Sequence, residues 1–128
     1  MQANNYNLIN PLVLAYIGDS VHNLFVREQV INASLQKIND YNKQCSHFCK
    51  AQTQSKVLDS IYDNLTQEEK DIVRKARNAK AHHTAKNASV ADYKKATSFE
   101  ALVGYLYLTQ KTERLNEILN LSIREILW

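Results

Sequence analysis

The stretch LVLAYIGDSVHNLF, residues 12–25, decides how the chain folds. Its apolar residues recur at near-helical spacing, and Pro11 just before it suits the first position of a helix. These apolar residues are Leu12, Ala15, Tyr16, Val21, Leu24 and Phe25. In the middle of this helix, Asp19 directly follows Gly18. Because a buried carboxylate is costly without a partner, Asp19 either points outward or meets a partner from another part of the chain.

The rest of the sequence also favours helices. The chain has 128 residues with only two Gly and one Pro, too few for a turn-rich sheet fold. A second helical region is expected over residues 35–62, with a polar middle that leaves room for a break. Its apolar anchors are Leu35, Ile38, Val57, Leu58 and Ile61. We therefore predict an all-α fold that forms a single domain over residues 1–128.

Three later segments continue the helical pattern. Thr66 and Glu69 have the spacing of a capping box, in which each side chain satisfies a backbone N–H of the other residue. Residues 81–90 lack periodicity and are predicted to form a loop, after which helices are expected over 98–108 and 114–128. The last helix has apolar residues repeating at three and four positions, namely Leu115, Ile118, Leu119, Ile123 and Leu127.

A second carboxylate lies in a strongly apolar helix, SFEALVGYLYL, residues 98–108. Glu100 is followed four residues later, on the same face, by Gly104. A glycine inside a helix costs about 1 kcal/mol relative to Ala, so it is usually kept where two backbones approach closely. Helices that cross at Gly18 and Gly104 would bring Asp19 and Glu100 together. Two neighbouring carboxylates need a proton or a cation between them, and Mg²⁺ takes such oxygen ligands. Alternatively, each acid is an isolated surface group.

The charge of the chain is unevenly distributed. The formal net charge is only +3, but residues 70–95 contain eight Lys or Arg and two Asp, which makes +6 there and −3 elsewhere. A concentrated basic segment is typical of a protein with a polyanionic partner, although a solvated charged face has the same composition.

The two cysteines and the N-terminal sequence indicate the cellular compartment of the protein. No apolar run is long enough to span a bilayer, and the first ten residues do not form a secretory signal, so we expect a cytoplasmic protein with reduced thiols and no membrane partner. Cys45 and Cys49, with His47 between them, raise the alternative of a zinc site shared with His82 or His83. On a helix, however, the two cysteines share one face and His47 points elsewhere.

Two motifs carry a resemblance to a known family. YIGDSV, residues 16–21, resembles the signature helix of the ribonuclease III family, and SFEALVGYLYL resembles its second motif. RNAKA, residues 77–81, and TAKN, residues 84–87, further resemble the compact Mini-ribonuclease III subgroup. The resemblance implies a helical, homodimeric catalytic domain without a double-stranded-RNA-binding domain.

The resemblance also implies an activity, which is Mg²⁺-dependent endonucleolytic cleavage of double-stranded RNA. Attack by water would leave 5′-phosphate and 3′-hydroxyl ends. The implied substrate is a precursor of the large-subunit (23S) ribosomal RNA, matured with help from a large-subunit ribosomal protein. Asp19 and Glu100 would be both the catalytic residues and the metal ligands. Other acids typical of the family are replaced here by Ala15, Asn23 and Thr97, which keeps open the alternative of a non-catalytic double-stranded-RNA-binding protein.

Two further surfaces follow from this interpretation. The basic segment would grip the RNA backbone, because A-form RNA is recognised through phosphates and 2′-hydroxyls. Its predicted RNA-binding residues are Arg74, Lys75, Arg77, Asn78, Lys80, His82, His83, Lys86, Lys94 and Lys95. The apolar face of the first helix, with Ile17, Val21 and Leu24, is the predicted dimer interface, although the same residues would equally suit the core of one chain.

Overall fold

The computed structural model describes residues 9–32, 37–79 and 89–127, with side chains up to residue 124. Within these ranges the chain forms six α-helices and no strand, so the predicted all-α fold is confirmed. The helices are α1 (Pro11–Ile31), α2 (Ile38–Cys49), α3 (Ala51–Ile61), α4 (Gln67–Asn78), α5 (Val90–Leu108) and α6 (Thr112–Leu127), and a 3₁₀ turn, Tyr62–Asn64, follows α3. No helix of the described part is long and apolar enough to cross a membrane.

The helix boundaries follow from local capping. The Asn10 side chain accepts a hydrogen bond of 2.9 Å from the backbone N–H of Leu12, just where α1 begins. The predicted capping box at α4 is confirmed: the Glu69 N–H donates to the Thr66 hydroxyl at 3.2 Å, and the Thr66 N–H donates to the Glu69 carboxylate at 2.9 Å. The polar middle of the second helical region does contain a break, because Lys50 has an extended conformation between α2 and α3.

Helix α5 forms the centre of the molecule. It packs against α1, α3, α4 and α6, and its residues Phe99, Leu102 and Leu106 are completely buried. A helix with neighbours on most sides needs apolar residues around its whole circumference, which explains the strongly apolar sequence of this segment. A carboxylate in α5 is therefore surrounded by the rest of the protein and needs a specific partner.

One predicted apolar anchor, Ile38, lies at the surface instead, 71% exposed at the first turn of α2. Two residues of the apolar pattern of α1 are exposed as well, Tyr16 at 83% and Leu24 at 61%. Exposure suits Leu24, for which the sequence predicts a dimer interface. Because α1 is apolar on more than one face, its buried row could not be selected from the sequence. The other described anchors are buried as predicted, namely Val57, Leu58 and Ile61. Leu35 lies outside the described residues.

An ionic clasp, formed by Glu69 and Arg114, joins α4 to α6. The Arg114 guanidinium donates to both carboxylate oxygens of Glu69 at 2.8 Å and to the backbone oxygen of Asn64 at 2.7 Å. The Glu69 side chain is only 5% exposed. Burial opposes its ionisation, but the hydrogen bonds from Arg114 and Thr66 outweigh burial and lower the pKa of Glu69. The clasp therefore holds a nearly buried charge by matching it with an opposite charge.

Candidate active site

Helices α1 and α5 cross at the two glycines of the chain. A Cβ on Gly18 would lie 1.7 Å from the backbone oxygen of Glu100, and a Cβ on Gly104 would lie 2.0 Å from the backbone oxygen of Leu14. Both distances are far below any allowed contact, so only glycine fits at either position. The predicted close crossing of these helices at Gly18 and Gly104 is confirmed.

The crossing brings the two acids into contact. Asp19 is exposed, Glu100 is half-buried, and their side chains are hydrogen-bonded to each other. Burial, together with the hydrogen bond to Asp19 and the negative charge of that residue, raises the pKa of Glu100 to about 9. At neutral pH the Glu100 carboxyl therefore keeps its proton and donates it to the Asp19 carboxylate. The two residues form an acid pair that lies at the surface end of a buried helix crossing.

Two buried polar residues support the acid pair from α3 and α1. The Gln54 amide donates a hydrogen bond to Glu100, which acts against the rise in the pKa of that carboxyl. The amide nitrogen of Gln54 also lies 3.2 Å from Nδ1 of His22. Both Gln54 and His22 are only 2% exposed. Burial lowers the pKa of His22 to about 4, against the opposing effect of the Asp19 charge, so its ring is neutral at neutral pH.

The two cysteines lie beside the acid pair as free thiols. The sulfur atoms of Cys45 and Cys49 are 3.9 Å apart on one face of α2, while His47 is exposed, as the helical spacing predicted. Burial, the neighbouring Cys45 and the charges of Asp19 and Glu100 raise the pKa of Cys49 to about 12. A thiol that stays protonated is a poor metal ligand and a poor nucleophile. Within the described residues no three His, Cys, Asp or Glu side chains are grouped as metal ligands, which leaves the zinc alternative unsupported there.

The positions where family acids are replaced have other roles in this chain. Ala15 is buried in the core. The Thr97 hydroxyl donates to the backbone oxygen of Tyr93 at 2.9 Å. The Asn23 side-chain oxygen accepts a hydrogen bond of 2.8 Å from Arg27 and lies 3.5 Å from the sulfur of Cys45. A cation at the acid pair would therefore have two protein carboxylates, Asp19 and Glu100, as its ligands.

The described part of the basic segment is divided between two helices. Arg74, Lys75, Arg77 and Asn78 are all exposed near the C-terminal end of α4. Three of them line a cleft of about 510 Å³, together with Lys70 and other residues of α4 and the preceding turn. This cleft presents cationic side chains to solvent, as a surface that binds RNA phosphates must.

The other predicted RNA-binding residues differ in their surroundings. Lys94 is exposed on α5, whereas the Lys95 ammonium is 3.0 Å from the Asp59 carboxylate and its side chain is 25% exposed. The charge of Lys95 is thus matched within the chain. Four of the predicted residues lie outside the described part of the chain, namely Lys80, His82, His83 and Lys86.

The predicted dimer interface on α1 is only partly exposed. Leu24 is exposed, but Ile17 and Val21 are half-buried, and Val21 packs against the main core. Two further apolar residues of α1, Val13 and Tyr16, are 52% and 83% exposed. An apolar surface therefore exists along α1, although it differs from the set of residues predicted from the sequence.

Sequence reasoning did not identify Gln54 or His22 as part of the site. The signal was nevertheless present, because Gln54 precedes Val57, Leu58 and Ile61 at helical spacing, so it occupies the buried face of α3. A buried amide on an apolar face needs hydrogen-bond partners, and here they are Glu100 of the acid pair and His22.

Comparison with known proteins agrees with this fold. The family model described as "Ribonuclease III domain" matches residues 12–111. The chain is 46% identical to Mini-ribonuclease 3 of Thermoanaerobacter sp. (strain X514), over 92% of this chain and 83% of that protein. It is 37% identical to Mini-ribonuclease 3 of Enterococcus faecalis, over 95% of this chain and 94% of that protein. A crystal structure of a protein from Fusobacterium nucleatum superposes with a TM-score of 0.83 at 31% identity, covering 91% and 93% of the two chains.

These matches establish the class as a helical ribonuclease III domain, and hence an endoribonuclease. The chain belongs to the ribonuclease III family and, within it, to the compact Mini-ribonuclease III group.

Proposed function

We propose that this chain cleaves double-stranded RNA in a Mg²⁺-dependent reaction and that Asp19 and Glu100 are its catalytic residues and metal ligands. The observation that carries the proposal is the hydrogen-bonded acid pair at the glycine crossing of α1 and α5. Two carboxylates converge there although their positions in the sequence are about eighty residues apart. A convergence of this kind, enforced by two glycines, is better explained by function than by stability, because two adjacent carboxyl groups cannot both ionise without a cation between them.

The donor atoms of the pair fit a hard divalent cation. Both residues offer carboxylate oxygens, which Mg²⁺ prefers, and Mg²⁺ commonly uses one or two protein carboxylates while keeping waters and phosphate oxygens as its other ligands. The acid pair is held together by a proton on Glu100. A cation between the carboxylates would replace that proton and remove the repulsion between them.

The residues of the site then act by holding and orienting groups. Asp19 and Glu100 would fix the cation at the surface end of the crossing, where a phosphate can reach it. A bound Mg²⁺ ion supplies positive charge to the phosphoryl oxygens and makes water more acidic. No protein nucleophile is needed, and the Cys49 thiol stays protonated. Attack by water in place of the ribose 2′-hydroxyl would leave 5′-phosphate and 3′-hydroxyl ends.

The basic residues would bind the RNA backbone. Arg74, Lys75, Arg77 and Asn78 of α4 and Lys94 of α5 are exposed and suit this role. Lys95 suits it less, because its charge already faces Asp59. Lys80, His82, His83 and Lys86 remain predictions from the sequence. Recognition through phosphates is independent of base sequence and depends strongly on salt concentration.

The remaining features of the proposal rest on the family. Cutting both strands of a duplex requires two active sites, which a homodimer with a two-fold axis would supply. The exposed apolar residues of α1, including Leu24, are the surface available for that contact. A precursor of 23S ribosomal RNA as the substrate, a large-subunit ribosomal protein as a helper and a cytoplasmic location likewise remain predictions.

A nuclease assay on plain duplex RNA tests the proposal. We expect the wild-type protein to cut it with Mg²⁺ and to lose activity with EDTA. Asp19→Asn and Glu100→Gln should lower the rate by at least about a thousandfold, since each removes one of two ligands, while affinity for RNA is largely kept. Asp92→Asn, which removes a half-buried acid in the first turn of α5, is the matched control and should cut normally.

The alternative of a non-catalytic RNA-binding protein makes the opposite prediction. In that case the wild-type protein and the Asp19→Asn variant would bind duplex RNA equally and neither would cut it. The replacement of family acids by Ala15 and Thr97 was the argument for this alternative. The ribonuclease relatives, at 46% and 37% identity, favour the enzyme.

A further inference from the structure

Gln54 is a buried amide side chain on an apolar face, and such a side chain needs hydrogen-bond partners. It is 2% exposed and shares the inner face of α3 with Val57, Leu58 and Ile61. Burying an amide without hydrogen bonds costs roughly 1–3 kcal/mol in proteins, so this position requires partners with good geometry. An apolar residue of the same length would fill the same space without burying a polar group.

The side-chain amide of Gln54 contacts residues of two different helices. The nitrogen of Gln54 lies 3.2 Å from Nδ1 of His22 on α1, and the Gln54 side chain is hydrogen-bonded to the Glu100 carboxyl on α5. Because an amide nitrogen can only donate, Nδ1 must be the acceptor, and His22 carries its proton on Nε2. Gln54 therefore bridges the same two helices that cross at the glycines.

His22 is itself held in a fixed position. It is 2% exposed, and its ring meets the ring of Phe99 edge-on, with centroids 5.1 Å apart and an angle of 87°. Phe99 is completely buried and directly precedes Glu100 in the sequence. A rigid acceptor on one side of the amide determines the direction in which its other N–H points.

We propose that Gln54 is a positioning residue for the acid pair, and that its amide, anchored by His22, holds the Glu100 carboxyl in the orientation that lets both acids bind one divalent ion. This inference rests on the proposed function. The Glu100 carboxyl is hydrogen-bonded both to Gln54 and to Asp19, so the amide acts on the acid that faces Asp19. Partners that orient a metal ligand in this way typically change metal affinity or activity by about 10–100-fold when they are removed.

The test compares three variants with a matched control. Gln54→Met keeps the length of the side chain and removes both donors, His22→Phe keeps an aromatic ring against Phe99 and removes the acceptor, and the double variant combines them. Thr53→Val is the control, because Thr53 is also buried on α3 but donates to the backbone oxygen of His47 at 2.7 Å, away from the acids. Mn²⁺ binding to the RNA-free protein is measured by electron paramagnetic resonance, well below the melting temperature of each variant. The Mg²⁺ concentration for half-maximal cleavage is measured in parallel and decides the outcome wherever the RNA-free protein binds Mn²⁺ too weakly to measure.

We expect Gln54→Met to weaken metal binding about tenfold. His22→Phe should weaken it in the same direction but less, and the double variant should match Gln54→Met, because His22 acts only through Gln54. Thr53→Val should lower the melting temperature and leave metal binding unchanged, which separates positioning from simple loss of stability.

Metal binding equal to wild type in Gln54→Met would overturn the inference, as would losses that simply add in the double variant. Should Gln54→Met fail to fold, His22→Phe decides, and unchanged metal binding in that variant overturns the inference as well. Failure of the proposed function has a different signature, which is a wild-type protein that does not cut duplex RNA with Mg²⁺.

Discussion

At the scale of single residues, the site depends on two glycines as much as on two acids. The carboxylates of Asp19 and Glu100 can meet only because the backbones of α1 and α5 approach within the space that a Cβ would fill. The sequence contained this information, since each acid interrupts an apolar helix that also carries a glycine. Helical spacing also puts Gln54 on the buried face of α3, but its contacts with Glu100 and His22 depend on how α3 is rotated against the other helices, which the sequence does not tell.

Replacing Gly18 by alanine tests the crossing. The new Cβ would lie 1.7 Å from the Glu100 backbone oxygen, and only separation of the helices can relieve this contact. We expect Gly18→Ala to lower the free energy of unfolding by about 3 kcal/mol, despite the higher helix propensity of alanine. Urea unfolding measures the loss, and Ser20→Ala, an exposed change on the same helix, should have little effect. Equal stability of Gly18→Ala and wild type would show that the helices do not cross this closely.

At the scale of helices, the ionic clasp joins α4, which carries part of the basic segment, to α6. Removing the guanidinium in Arg114→Met leaves the nearly buried Glu69 carboxylate without its cation, so we expect a loss of about 3 kcal/mol at pH 7. Lys111→Met breaks a more exposed pair with Glu68 and should cost about 1 kcal/mol or less. Chemical denaturation of both variants gives the comparison, and similar losses would contradict a special role for the clasp.

The clasp also predicts how stability depends on pH. The pKa of Glu69 in the folded protein is below its usual value of 4.5, so the unfolded chain binds the proton more readily. The stabilisation is therefore complete above about pH 4.5 and is lost as the pH falls below it. The difference in unfolding free energy between wild type and Arg114→Met should shrink over that range, and a constant difference would contradict this account.

The exposed cations of α4 make a prediction about RNA binding. Changing Arg74, Lys75 and Arg77 together to Gln should weaken binding to duplex RNA and reduce the slope of log affinity against log salt by up to about three. Changing Lys43, Lys56 and Arg124 to Gln gives the same change in net charge outside the basic segment and should reduce the slope less. Filter binding at several salt concentrations measures both, and equal slopes would show that net charge alone attracts the RNA.

At the scale of the whole molecule, a homodimer would turn one active site into two. Leu24→Glu introduces a charge on the exposed apolar surface of α1, where Leu24 is 61% exposed. We expect this variant to be a monomer that cuts only one strand of an RNA duplex. Ile38→Glu, at an apolar residue of α2 that is 71% exposed, is the control and should leave the dimer intact. Analytical ultracentrifugation reports the assembly state, and a stable Leu24→Glu dimer would place the interface elsewhere.

The limits of prediction from sequence follow a physical pattern. Helix α4 was predicted from Thr66 and Glu69 because a capping box acts within one turn of the chain. The exposure of Tyr16 and Ile38 was not predicted, because whether an apolar residue is buried depends on which neighbour packs against it. The sequence left two possibilities for Asp19 and Glu100, an acid pair or two isolated surface acids, and the packing of α1 against α5 at the glycines selects the pair.

The central claim is that Asp19 and Glu100 bind one divalent ion between them. Anomalous diffraction from crystals soaked in Mn²⁺ tests it most directly. We predict a single strong peak per chain within coordination distance of both carboxylates, and its loss in crystals of Asp19→Asn. A peak that contacts neither acid, or that persists unchanged in Asp19→Asn, would contradict the account.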